Sequence, residues 1–90
     1  MADPGYKASK DQLLRRLSRL EGQVRGVAGM VEEERYCIDV LTQIGAIRAA
    51  LDKVALGLVD GHARHCMRDA GRDPDADVDE LMGALGRMLR

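Results

Sequence analysis

No proline interrupts residues 36–73, and inside that span Val40, Ile44, Ile47, Leu51, Val54 and Leu58 recur at steps of 4, 3, 4, 3 and 4. That spacing is a heptad seam, which belongs to a helix seeking a partner helix. The spacing predicts one helix from about Cys37 to Arg68, close to 50 Å long at about 1.5 Å per residue. A second seam precedes it, with Leu13, Leu17, Leu20, Val24, Val27 and Val31 at the same steps. Ser9 followed by Gln12 has the spacing of a capping box, so the first helix is expected to start there. It is expected to end near Glu32-Glu33-Glu34, where three carboxylates oppose the helix dipole. Gly22, Gly26 and Gly29 lie within it, and each costs roughly 1 kcal/mol against Ala. Close backbone approach by a neighbour or a kink would account for them.

Asp73 before Pro74 reads as an N-cap followed by the first helical residue. Val78, Leu81, Met82, Leu85, Met88 and Leu89 then draw an apolar stripe on a short third helix. Residues 1–8 hold Pro4 and Gly5 without periodicity and read as a flexible N-terminal arm, leaving residues 9–90 as a single helical domain. The expected fold is all-α, a three-helix protomer with a long second helix. With no Trp or Phe the core must be aliphatic, and three seams in 90 residues leave more apolar surface than one chain can cover. A homo-oligomeric bundle is the expected solution. No apolar run approaches the ~18 residues of a membrane span, and the start MADPGYKASK lacks a signal peptide's apolar stretch. The expected compartment is the cytoplasm, with no membrane partner.

Fourteen Lys and Arg against fifteen Asp and Glu give a net charge of −1, which argues against a uniformly basic nucleic-acid binder. The charge is, however, segregated. From Lys7 to Arg25 six bases face two acids, and from Asp69 to Glu80 six acids face one base. Arg15, Arg16 and Arg19 cluster on the first helix, and Arg48 and Lys53 add to them from the second. Two readings of these cations stand: a phosphate-binding surface repeated in each copy of an oligomer, or solvated faces paired with Glu21 and Asp52.

The soft metal donors are few. His62 and Cys66 are i and i+4 on one helix and can share an ion. Cys37 lies 25 residues earlier, about 37 Å along an unbroken helix, and cannot reach that ion within its own chain. If all three bind one ion, the second helices of two subunits run antiparallel and each dimer holds two equivalent sites. The alternative is that both cysteines are small buried hydrophobes and His62 a satisfied polar group.

The run RLSRLEGQVRGVAGMVEEERYCIDVLTQIGAIRAALDKVALGLVDGHARHC, continuing through VDELM, resembles the copper-sensing branch of the CsoR/RcnR repressors. The pattern of Cys, 24 residues, then His-x3-Cys is similar to that branch's Cu(I) ligand set, here Cys37 of one subunit with His62 and Cys66 of another. The resemblance implies an antiparallel dimer forming a four-helix bundle, pairing into a dimer-of-dimers tetramer. It implies operator DNA binding in the apo form without a helix-turn-helix, and release on Cu(I) binding that derepresses copper-resistance genes. It further places Tyr36 and Glu80 beside the ligand His, and Arg16 and Lys53 at positions important for the operator.

Two thiolates and one imidazole suit Cu(I), whereas Ni(II) prefers more nitrogen and oxygen donors. No His occurs in residues 1–36 to supply one. His65, at i+3 from His62, offers a fourth ligand for tetrahedral Zn(II). The expected function is thus a Cu(I)-sensing repressor and not an enzyme. The alternatives are a Zn(II)- or Ni(II)-responsive repressor of the same fold, a cytosolic copper buffer or chaperone without DNA binding, and a purely structural helical oligomer.

Overall fold

The computed structural model describes residues 5–68 and 73–89, with the backbone alone for Cys66, Met67, Arg68 and Pro74. Among the described residues a 3-10 turn at Lys7–Ser9 leads into three helices and there is no strand. Helix α1 covers Lys10–Glu32, α2 covers Cys37–Arg68 and α3 covers Pro74–Met88. The unbroken heptad pattern thus becomes one 32-residue helix.

The start of α1 differs from expectation. Ser9 sits at the N-cap position but its side chain caps nothing; its hydroxyl donates back to the Tyr6 carbonyl at 3.3 Å. The 3-10 turn takes over the capping role, since the Ser9 amide donates to Tyr6 O and the Lys10 amide to Lys7 O. The far end is a Schellman motif: Arg35 N donates to Met30 O at 2.9 Å and Glu34 N to Val31 O at 3.0 Å. Glu34 takes the left-handed position, φ 57°, that glycine usually fills, and the chain reverses into α2. At α3, Asp73 caps as its spacing predicts, its carboxylate accepting from Asp75 N at 3.1 Å.

Each heptad seam divides between two faces. Leu13 and Leu20 of α1 and Val54 of α2 are buried at 7%, 6% and 4% exposure, with half-buried Ile47 and Ala50 packed against them. The intervening residues, Leu17, Val24 and Val31 on α1 and Ile44, Leu51 and Leu58 on α2, stay exposed. One heptad position therefore joins α1 to α2, while the other faces away. Several outward residues meet in a groove of about 700 Å³ lined by Leu17, Glu21, Val24, Arg25, Ile47 and Leu51. On α3 only Leu81 and Leu85 of the expected stripe are half-buried, and Val78, Met82, Met88 and Leu89 are exposed.

Among the described residues, nothing beyond the adjoining backbone of α1 lies within 4 Å of where a Cβ on Gly22, Gly26 or Gly29 would be, and α1 continues through them. The expected close approach by a neighbour is not met within one chain. The tight glycines are on α2 instead: a Cβ on Gly57 would lie 3.1 Å from Leu13 Cδ2. Leu13→Ala is expected to cost about 2–5 kcal/mol, read from the urea midpoint at fixed protein concentration, because so small a core has nothing to refill the space.

Candidate metal centre and nucleic-acid interface

Helix α2 carries all three sulfur and nitrogen donors of the expected set, and its continuity decides how they can be used. Cys37 is its first residue, a free and exposed thiol, with Tyr36 beside it 69% exposed. The Tyr36 carbonyl accepts from Asp39 N and Val40 N, which starts the helix. His62 is half-buried near the opposite end, and Cys66 follows one turn later on the same face. The side chain of Cys66 lies outside the described part of the structure. With 25 residues between Cys37 and His62 and no break, about 37 Å separates them in one chain, against a metal–sulfur bond near 2.3 Å. Among the described residues, no three His, Cys, Asp or Glu side chains of one chain gather where an ion could bind. The residues fit a metal only if a second copy brings its Cys37 to the His62 end. His65 is half-buried one turn from His62, and Glu80 is exposed on α3.

The chain ahead of α1 also reaches this end. A Cβ on Gly61 would lie 2.8 Å from Gly5 O and 2.9 Å from Tyr6 Cα, so only glycine lets the segment lie against α2 one residue before His62. Gly5 itself has φ 95°, a left-handed conformation suited to glycine. Residues 5–8, read from sequence as part of an arm, here pack beside the candidate ligand. Nothing in the periodicity signals it.

The cations sort themselves by face. Arg16 and Arg19 on α1 and Lys53 on α2 line one cavity of about 290 Å³, with Leu20, Gln23 and Ala50. Arg15 and Arg48 are exposed but do not line it. The pairing with Glu21 and Asp52 does not occur: among the described residues the arginines that pair with carboxylates are Arg35, 3.8 Å from Glu33, and Arg64, 3.0 Å from Asp60. Among the described residues no carboxylate forms an ion pair with Arg16, Arg19 or Lys53. Gln23 escaped the sequence reading because it carries no charge. Its position seven residues after Arg16, on the same helix face, is the signal that could have found it.

The sequence and the fold of this chain are both similar to those of known proteins. The copper-sensing transcriptional repressor CsoR of Bacillus subtilis is 51% identical over 89 residues, covering 94% of this chain and 88% of its own length. The crystal structure of the copper-sensing repressor CsoR with Cu(I) from Geobacillus thermodenitrificans superposes with a TM-score of 0.82 at 44% identity, covering 93% of this chain and 90% of that one. The structure of the nickel-responsive transcriptional regulator InrS gives a TM-score of 0.73, also at 44% identity, covering 86% and 89%. With residues 9–87 matching the model of that family along the three helices just described, the chain belongs to the metal-sensitive transcriptional repressors.

Proposed function

We propose that this chain is a Cu(I)-responsive repressor that holds operator DNA as an apo oligomer and releases it when Cu(I) binds between subunits. The observation that carries the reading is the unbroken α2, which sets two soft donors at one end and the third about 37 Å away. An antiparallel pair of α2 helices places Cys37 of one chain against His62 and Cys66 of the other, twice per dimer. The copper-sensing names of the relatives support the metal, and so does the donor set of two thiolates and one imidazole. A Ni(II) site would call for further nitrogen or oxygen ligands, and residues 1–36 hold no His to give. Tyr36 and Glu80 are proposed to flank the ligands, and His65 to stay outside the trigonal set.

Surface area supports the oligomer. A compact chain of 9.9 kDa exposes roughly 5,200 Å², yet this one exposes 7332 Å². Its radius of gyration is 17.0 Å, against roughly 12 Å for a compact chain of its length. The exposed half of each seam is the surface a second copy covers in a four-helix bundle, and two dimers pairing into a tetramer would cover more.

The cationic cavity is built from both α1 and α2, so its shape depends on how they sit together. Lys53 lies nine residues before His62, about 14 Å along the same helix. Copper drawing the partner's α2 toward that end shifts α2 against α1 and separates Lys53 from Arg16. By linkage, DNA weakens copper binding by the factor with which copper weakens DNA binding, commonly 5–150-fold.

The test is an anaerobic titration of protein bound to a fluorescent duplex carrying its own upstream region. Cu(I) is expected to abolish the anisotropy signal where Ni(II) and Zn(II) do not. Retention of the duplex by Cu(I)-saturated protein would overturn the reading, and absence of any duplex binding would favour a copper buffer.

A further inference from the structure

We infer that the cavity between α1 and α2 is a seat for a single backbone phosphate of the bound DNA, and that Gln23 is the neutral donor that fixes the phosphate in it. This rests on the operator-binding reading above and adds a site to it.

Arg16, Arg19 and Gln23 occupy successive turns of one face of α1, and Lys53 faces them from α2. All four side chains are exposed, while the apolar floor between them is buried Leu20 and half-buried Ala50. Among the described residues no carboxylate lines this cavity. The groove of about 700 Å³ includes Glu21, and the cavity beside the 3-10 turn includes Asp60. At about 290 Å³ the open cavity has room for a phosphodiester that keeps part of its hydration.

A phosphodiester presents two anionic oxygens and accepts from several donors at once, best from guanidinium forks. The two arginines and the lysine supply charge, which attracts any phosphate along the duplex. The Gln23 amide supplies two N–H donors and no charge, so its contribution is positional. That difference has a signature. Losing a cation reduces the number of counterions released and flattens the salt dependence; losing a neutral donor weakens binding at every salt concentration equally.

The experiment compares wild type, Gln23→Ala and Gln23→Glu on the upstream-region duplex and on a random duplex, by anisotropy across a salt series and by phosphate-ethylation interference. Gln23→Ala is expected to bind both duplexes about tenfold more weakly with an unchanged salt slope, as loss of a hydrogen bond to a charged group implies. Gln23→Glu is expected to bind more weakly still, because it places a carboxylate against the phosphate. Interference is expected to vanish at one phosphate per engaged protomer and persist at the others. Unchanged affinity in Gln23→Ala, or a loss confined to one base sequence with the interference pattern intact, would overturn the seat while leaving DNA binding by the protein in place. A wild type that binds neither duplex would overturn the operator reading itself. Thermal unfolding and sedimentation should not move, since Gln23 is exposed and outside the core.

Discussion

Chains carrying Cys37→Ala and chains carrying His62→Ala should each fail to release operator DNA with Cu(I), and mixing them should restore part of the response. In an antiparallel pair, one site combines Cys37 of the first chain with His62 and Cys66 of the second, and the twofold axis generates an equivalent second site. A mixed dimer concentrates both lesions in one site and leaves the other complete. Random exchange makes half of the dimers mixed, so the mixture should bind about a quarter of the wild-type Cu(I) per chain, with the thiolate charge-transfer absorption of an intact site. Neither variant alone should show it. Operator binding by the apo proteins should persist in all three samples, because neither residue lines the cationic cavity. A mixture as silent as its components, in samples shown to exchange subunits, would overturn the shared site.

Much of this was legible in the residues, and the limits have physical causes. The bounds of α2 follow from an apolar repeat without proline, and Asp73-Pro74 declares the start of α3 through its own local chemistry. Ser9 misled because a capping-box spacing does not reveal whether a 3-10 turn already satisfies the same amides. The heptad seams were visible, but periodicity reports only that a face is apolar. It does not say that Leu13, Leu20 and Val54 meet within one chain while Leu17, Val24 and Leu51 stay exposed. The donor set divides in the same way. The i, i+4 spacing of His62 and Cys66 is local and readable, whereas the role of Cys37 depends on the rise of a helix whose continuity had first to be established. Arg15, Arg16, Arg19, Arg48 and Lys53 read alike as charges. The resemblance singles out Arg16 and Lys53, and the arrangement adds Arg19 as the third to line the cavity while leaving out Arg15 and Arg48.

That separation gives the second large effect: Arg16→Ala should weaken operator binding at least tenfold near physiological salt and flatten its salt dependence. Each phosphate neutralised by a cation contributes about −0.9 to the slope of log K against log salt, so removing one contact per protomer lowers its magnitude by about 0.9 for every protomer on the DNA. A decrease near 2 would report two engaged copies and one near 4 would report four, so the experiment also counts the chains that touch the duplex. Lys53→Ala should act in the same direction from the opposite wall of the cavity. The loss should be uniform across DNA sequences, since a phosphate contact carries no base information. Arg35→Ala provides the contrast: Arg35 is paired with Glu33 and does not line the cavity, so its loss should leave both affinity and slope unchanged. Arg16→Ala should still bind Cu(I) at full stoichiometry, because it holds no part of the ligand set. Were Arg16→Ala to keep the wild-type slope, the phosphates would have to be held by cations outside the cavity, Arg15 and Arg48 among them, and copper could not act by parting Lys53 from Arg16.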